Sequence, residues 1–191
     1  MKEKNFRAYT DGSSTVYYDN KNLRYGGVGV YIESSEYWSE EEISKHYVGD
    51  EGDDSVSNQK MELLACIKAL KRFNNLIKKF NLNKKNQIEI ITDSMYVINC
   101  ITKWSEKWKK NGWKRDSKGT KDIKNLYLIK ELYNLSKAMN IKYIHVNSHK
   151  KEPNKNDIEN WRRWYGNKMA DKLALDGRNQ VMNQEMNQEI K

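Results

Sequence analysis

Apolar residues recur at two spacings along this chain, and the order in which those spacings alternate leaves few folds open. Residues 6–10 are β-prone and run into Asp11-Gly12-Ser13-Ser14, a turn signal that ends a strand and leaves Asp11 at its tip. Tyr25 to Ile32 reads as a second strand, in which Gly26, Gly27 and Gly29 among Val28, Val30 and Tyr31 let another backbone come close. Trp38, Ile43, Tyr47 and Val48 give a third strand within 36–54, a stretch of eight acids and one lysine that reads as a solvated edge. Then the period changes. Leu63, Cys66, Ile67 and Leu70 follow the i, i+3, i+4, i+7 spacing of a helix laid on a sheet, starting near Ser57, with Glu62 beside the stripe. Gln87 to Thr92 alternates again and stops at Asp93-Ser94, where Ser94 is placed to cap a helix with Val97, Cys100, Ile101, Trp104 and Trp108 on its apolar face. Gly112 interrupts that helix, and the next carries Leu128, Leu132, Leu135 and Met139. Ile141 to Val146 returns to strand before Ser148-His149, and a last helix, Trp161 to Leu175, contains Asp171.

Three strands in succession, then strand and helix in alternation, predict an α/β fold. Its mixed sheet begins as an antiparallel meander, continues by parallel crossovers and is covered by helices on its faces. A length of 191 residues suits one domain, expected over 1–177, and the Asn/Gln/Glu-rich segment 178–191 reads as a flexible tail. The net charge of +9 and pI of about 9.3 favour a polyanionic partner without naming one. Residues 103–124 hold nine bases and three acids, so most of that excess sits in one short stretch. The only cysteines, Cys66 and Cys100, form neither a disulfide framework nor a zinc-ligand spacing, which fits a reducing intracellular compartment, cytoplasm or nucleus. The N-terminus has no apolar signal region and no run approaches a membrane span, so a membrane partner is not expected.

Asp11, Asp93 and Asp171 fall at a strand end, a strand-to-helix turn and a helix, and Glu62 opens another helix. In α/β sheets such positions converge at one rim. Any one aspartate at a turn is ordinarily a cap or an Asx-turn. Four carboxylates gathered together are a different matter, because like charges at 4 Å repel by about 1 kcal/mol in water and about 4 kcal/mol at an effective dielectric of 20. A divalent cation reverses the sign. Oxygen-only donors suit Mg2+ or Mn2+ over Zn2+, and a pair of such ions is suited to phosphodiester cleavage.

Five stretches in fixed order resemble the motifs of type 1 ribonuclease H. They are Tyr9-Thr10-Asp11-Gly12-Ser13, Asn58-Gln59-Lys60-Met61-Glu62-Leu63-Leu64-Ala65, Thr92-Asp93-Ser94-Met95-Tyr96-Val97, Trp108-Lys109-Lys110-Asn111-Gly112-Trp113-Lys114 and Asn167-Lys168-Met169-Ala170-Asp171-Lys172-Leu173-Ala174. The resemblance covers about residues 6–175. The resemblance implies a five-stranded mixed sheet with helices on both faces. It also implies an endonuclease that cuts the RNA strand of RNA·DNA hybrids with two Mg2+ ions, Mn2+ being a plausible substitute, and leaves 3′-hydroxyl and 5′-phosphate ends. It further implies that Asp11, Glu62, Asp93 and Asp171 are metal-binding acids and that His149 is the family's mobile histidine. Asn58 and Gln59 match a hybrid-contacting pair, and Gly12, Ser13 and Ser94 adjoin the acids at the substrate. Trp108, Lys109, Lys110, Trp113 and Lys114 match a basic protrusion that grips phosphates. His145 reads as structural, and His46 has no matched role.

The chain also departs from that pattern. Asp171 follows His149 by 22 positions, a longer connection than the family's usual one, and its extra residues around Lys151 to Tyr165 place Arg162 and Arg163 as further contacts to the substrate backbone. Ser148 stands where a glycine is commoner. No stretch resembles a polymerase, and a monomer is expected. Two alternatives stay open from sequence: a non-catalytic hybrid-binding protein, and a DNA-cutting nuclease of the same superfold.

Overall fold

A computed structural model describes residues 6–16, 23–50, 56–83, 85–148 and 150–189. Three strands come first, β1 (Phe6–Val16), β2 (Leu23–Ile32) and β3 (Glu41–Asp50), followed by helix α1 (Asn58–Lys79) and strand β4 (Ile88–Thr92). Next come α2 (Met95–Asn99), a π-helical turn (Cys100–Trp104), α3 (Ser105–Lys110), α4 (Leu126–Ala138), strand β5 (Ile141–His145) and α5 (Ile158–Glu189). The strands pair in the order β3-β2-β1-β4-β5. The first three form an antiparallel meander, while β4 runs parallel to β1 and β5 parallel to β4. This is the mixed sheet expected from the alternation of periods.

Side-chain alternation sorts the sheet into two faces. Phe6, Ala8, Val28, Val30, Ile32, Ile88 and Ile90 bury one face under α1, α2 and α4, meeting Leu63, Cys66, Ile67, Leu70 and Phe73 of α1. Ser57 caps α1 by accepting a hydrogen bond from the Lys60 N–H, and Lys78 and Lys79 complement the helix dipole at its other end. Tyr9, Tyr31 and Ile91 form the opposite face against Ala170 and Leu173 of α5.

Helix α5 lies directly on β2 because neither element has bulk at the crossing. A β-carbon on Gly27 would stand 2.0 Å from the Ala174 carbonyl oxygen, and one on Gly29 would stand 2.0 Å from that of Ala170. Ser44 on β3 donates a 2.7 Å hydrogen bond to the Leu173 carbonyl and pins the same helix at the sheet's edge.

Three boundaries differ from the sequence reading. Strand β1 does not stop at Asp11-Gly12-Ser13: its parallel pairing with β4 ends at Thr10↔Thr92, but its antiparallel pairing with β2 continues to Val16↔Arg24. Asp11 is therefore inside a strand, at the point where one neighbour leaves it. The helix after Ser94 is interrupted by the π-helical turn, whose wide Cys100 carbonyl is taken up by the Ser105 hydroxyl at 2.6 Å. That turn leaves Trp104 exposed, off the apolar face assigned to it. Helix α5 begins before Trp161 and runs past Leu175 to Glu189, within the segment read as a tail, with Arg178 bonded to Ser13 at 3.0 Å and Met182 packed near Tyr25. Among the described residues no helix is long and apolar enough to cross a membrane.

Candidate active site

Parallel pairing of β1 with β4 ends at Thr10 and Thr92, so Asp11 and Asp93 follow side by side where the two strands part. This is the switch point at which α/β sheets place their ligands. Glu62 enters from the first turns of α1, on the other side of Gly12. A β-carbon on Gly12 would lie 2.3 Å from the Glu62 backbone nitrogen, so a residue without a side chain brings α1 up to the strand. Asp171 follows Ala170 on α5, and Ala170 sits over Gly29, the residue paired with Asp11 across the β1–β2 ladder.

The four acids line one open cleft of about 1070 Å3. Burial pushes the Asp11 carboxyl up to about 8, and the charges of Asp93, Asp171 and Glu62 push the same way against a hydrogen bond from the Gly12 N–H. Glu62 is also raised, first by burial and then by Asp93, while hydrogen bonds from Ser94 and Asn58 oppose the shift. Both its oxygens are engaged: Ser94 Oγ donates to Oε2 at 2.5 Å and Asn58 Nδ2 to Oε1 at 3.0 Å. Ser94 caps α2 as its position predicted, accepting from the Val97 N–H at 3.3 Å.

The cleft's donor set suits a hard divalent cation. It offers carboxylate oxygens and no thiolate, its acids crowd one another, and the buried Asn167 Oδ1, one helical turn before Asp171, has no hydrogen-bond partner. The set is not a finished cage. Among the described residues no three His, Cys, Asp or Glu side chains stand together closely enough to enclose an ion.

Gly12, Ser13 and Asn58 share the cleft with the acids, as does Arg163. Gln59 is exposed beside Asn58 at the start of α1. Ser94 reaches the site through Glu62. Arg162 is turned away from the cleft and pairs with Glu33. His149 lies outside the described residues, although its neighbours Ser148 and Lys150 line the cleft. His145, read as structural, lines it too, with Nε2 3.2 Å from the Asp93 carbonyl oxygen. Lys150, Lys151, Trp164, Asn167 and Lys168 are lining residues that sequence reasoning did not single out as site residues. The only signal for Asn167 and Lys168 was their membership of the Asp171 motif.

The basic segment forms a separate surface. Gly112 and Trp113 both take positive φ, and the Trp113 N–H closes back onto the Trp108 carbonyl at 2.6 Å. The Trp113 ring meets Tyr133 of α4 edge-on at 5.7 Å, with Lys130 over its other side. Lys109 and Lys110 are exposed, and Lys114 pairs with Asp122. Tryptophans thus supply the footing and lysines the outer charge.

A model of the RNase H family matches residues 3–179. The chain is 36% identical over 149 residues to the ribonuclease H of a Wolbachia sp. of Drosophila simulans (strain wRi), covering 78% of this chain and 86% of that protein. It is 34% identical over 173 residues to the ribonuclease H of Francisella philomiragia, covering 91% and 90%. In fold it is similar to part of a foamy viral protease-reverse transcriptase solved in complex with an RNA/DNA hybrid. The TM-score is 0.63 at 22% identity, over 92% of this chain and 20% of that one. With the match over nearly its whole length and the acids of its four motifs in one cleft, the chain belongs to the ribonuclease H family of nucleases.

Proposed function

We propose that this ribonuclease H-family chain cuts the RNA strand of RNA·DNA hybrids endonucleolytically, leaving 3′-hydroxyl and 5′-phosphate ends. Asp11, Glu62, Asp93 and Asp171 would hold two Mg2+ ions, with Mn2+ able to replace them. The reading is carried by one observation: acids from β1, α1, the turn after β4 and α5 line one cleft, where burial first and then the charges of the other three push the Asp11 carboxyl up to about 8. Acids held against their own repulsion favour a cationic ligand. Bound there, the ions would supply an acidified water as nucleophile and charge compensation for the departing oxygen.

The chain's own residues do the rest. Asn58 and Gln59 present amides, each both donor and acceptor, at the rim next to Glu62, suited to 2′-hydroxyls and base edges in the shallow minor groove. Asn58 spends one N–H on Glu62, which leaves its second N–H and its Oδ1 for substrate. Lys109, Lys110 and Lys114 neutralise phosphates from the platform that Trp108 and Trp113 hold, fixing position without reading sequence. His149 carries a proton at the leaving oxygen or helps the product depart.

The test uses three duplexes of one sequence, RNA·DNA, RNA·RNA and DNA·DNA, with Mg2+ or with EDTA. Cleavage of the hybrid's RNA strand alone, and only with Mg2+, is expected. Tight hybrid binding without cleavage would mean a binding protein, and cleavage of the DNA duplex would mean a DNA-cutting member of the fold.

A further inference from the structure

The cleft is much larger than two cations require. It extends from the four acids to a wall lined from residues 150–168. The outer side of that wall is fastened to the sheet. Arg7 bridges the buried Glu89 at 2.7 Å and Glu159, in the first turn of α5, at 2.9 Å. Arg162 pairs with Glu33, and Trp161 stacks on Tyr165 with centroids 5.1 Å apart, while Tyr165 meets Tyr31 edge-on at 5.8 Å. The inner side is braced as well. Trp164 Nε1 donates to the Lys150 carbonyl at 2.9 Å, Trp161 Nε1 donates to Glu152 at 3.0 Å, and Lys168 Nζ lies 4.9 Å from the Trp164 ring centre.

Consecutive helical residues point about 100° apart, and the adjacent arginines separate accordingly. Arg162 is committed to Glu33, and Arg163 faces the cleft with Lys150, Lys151 and Lys168. Of these four cations only Arg163 has an ion-pair partner among the described residues, Glu159 at 3.0 Å. Among the described residues none is recorded in a salt bridge with Asp11, Glu62 or Asp171, so cationic and anionic groups line one cleft side by side. A ligand that complements both is a phosphate chain, with one phosphate at the acids through bridging divalent ions and its neighbours on the cations.

We propose that Lys150, Lys151, Arg163 and Lys168 form a phosphate clamp for the strand being cut, braced by Trp164, that holds the backbone beside the scissile phosphate. The clamp rests on the hybrid-cleaving reading of the acid site. Because Trp164 and the Arg7 and Arg162 ion pairs tie the wall's backbone down before substrate arrives, binding has only the lysine side chains left to order.

The test measures affinity of the full-length chain for an RNA·DNA hybrid against salt concentration, in an Asp93→Asn background so that substrate survives, with wild-type cleavage assayed alongside. Lys150→Gln/Lys151→Gln/Lys168→Gln should weaken binding about tenfold or more at 0.1 M salt and reduce the slope of log K against log salt by about 2–3, at 0.7–0.9 per phosphate contact. The thermal midpoint should stay unchanged. The matching arginine variant should restore the slope, and Lys155→Gln, in the same stretch but outside the cleft lining, should leave it as it was. An unchanged slope in the triple glutamine variant, beside a wild type that still cleaves hybrids, would overturn the clamp alone. A wild type that does not cleave hybrids would overturn the reading on which it rests.

Discussion

A β-carbon on Gly29 would stand 2.0 Å from the carbonyl oxygen of Ala170, and this contact sets how near Asp171 comes to Asp11. Gly29 is the ladder partner of Asp11, and Ala170 is the residue before Asp171, so the sheet and α5 meet at the site itself.

Gly29→Ala must therefore push α5 off β2. The expected loss of stability is about 1–3 kcal/mol, as for overpacking in a close-packed interior. Activity should fall further than stability, because Asp171 would move away from its companions. Chemical denaturation and hybrid cleavage, each measured where the variant is still folded, check the two parts separately.

Asp11→Asn should abolish turnover and stabilise the ion-free protein. The folded-state carboxyl titrates at about 8, above the unfolded value of about 3.9. A raised acid contributes its full stability below the unfolded pKa and loses it as pH rises through the folded one, so the wild type weakens between about pH 4 and pH 8. The asparagine variant lacks this loss. Its advantage in EDTA should be small at pH 4 and reach the order of a few kcal/mol at pH 8, as followed by urea melts across that range. An advantage that shrank with rising pH would contradict the assigned crowding.

Ser94 joins two roles, capping α2 and donating to Glu62. Ser94→Ala should cost about 1 kcal/mol through the lost cap. It should also raise the Glu62 carboxyl further, since that hydrogen bond opposes the effect of burial. The acid limb of the pH–rate profile of hybrid cleavage is expected to move to higher pH.

Neutralising Lys109, Lys110 and Lys114 together should weaken hybrid binding nearly equally for all sequences, because phosphate contacts position without reading bases. Affinities for a panel of hybrids of equal length check this. A loss concentrated in particular sequences would mean that these lysines reach base edges.

The elements that carry the four acids were legible because each change of period brackets one of them. The β-prone run at 6–10 leads to Asp11, and the α1 stripe passes Glu62. The alternation at 87–92 stops at Asp93, and the last helix contains Asp171. The end of β1 was not legible, because Asp11-Gly12-Ser13 has turn chemistry and only pairing with the glycines of β2 shows that the strand continues. The continuation of α5 past Leu175 was hidden by Gly177, a residue that weakens helices in isolation but here lies against Ser44 and Lys45 of β3. Arg162 and Arg163 are indistinguishable as letters; tertiary partners separate them, Glu33 for one and the cleft for the other. The exposure of Trp104 depends on a π-helical turn that the apolar spacing did not announce.

The most direct measurement is Mn2+ binding, followed by electron paramagnetic resonance with hybrid present, in the wild type and in the Asp11→Asn and Asp93→Asn variants. The wild type should take up two ions per chain, and each substitution should remove or greatly weaken them while the fold persists. Uptake undiminished in both variants, or cleavage of the hybrid's RNA strand in excess EDTA, would contradict a cation site built from these four acids.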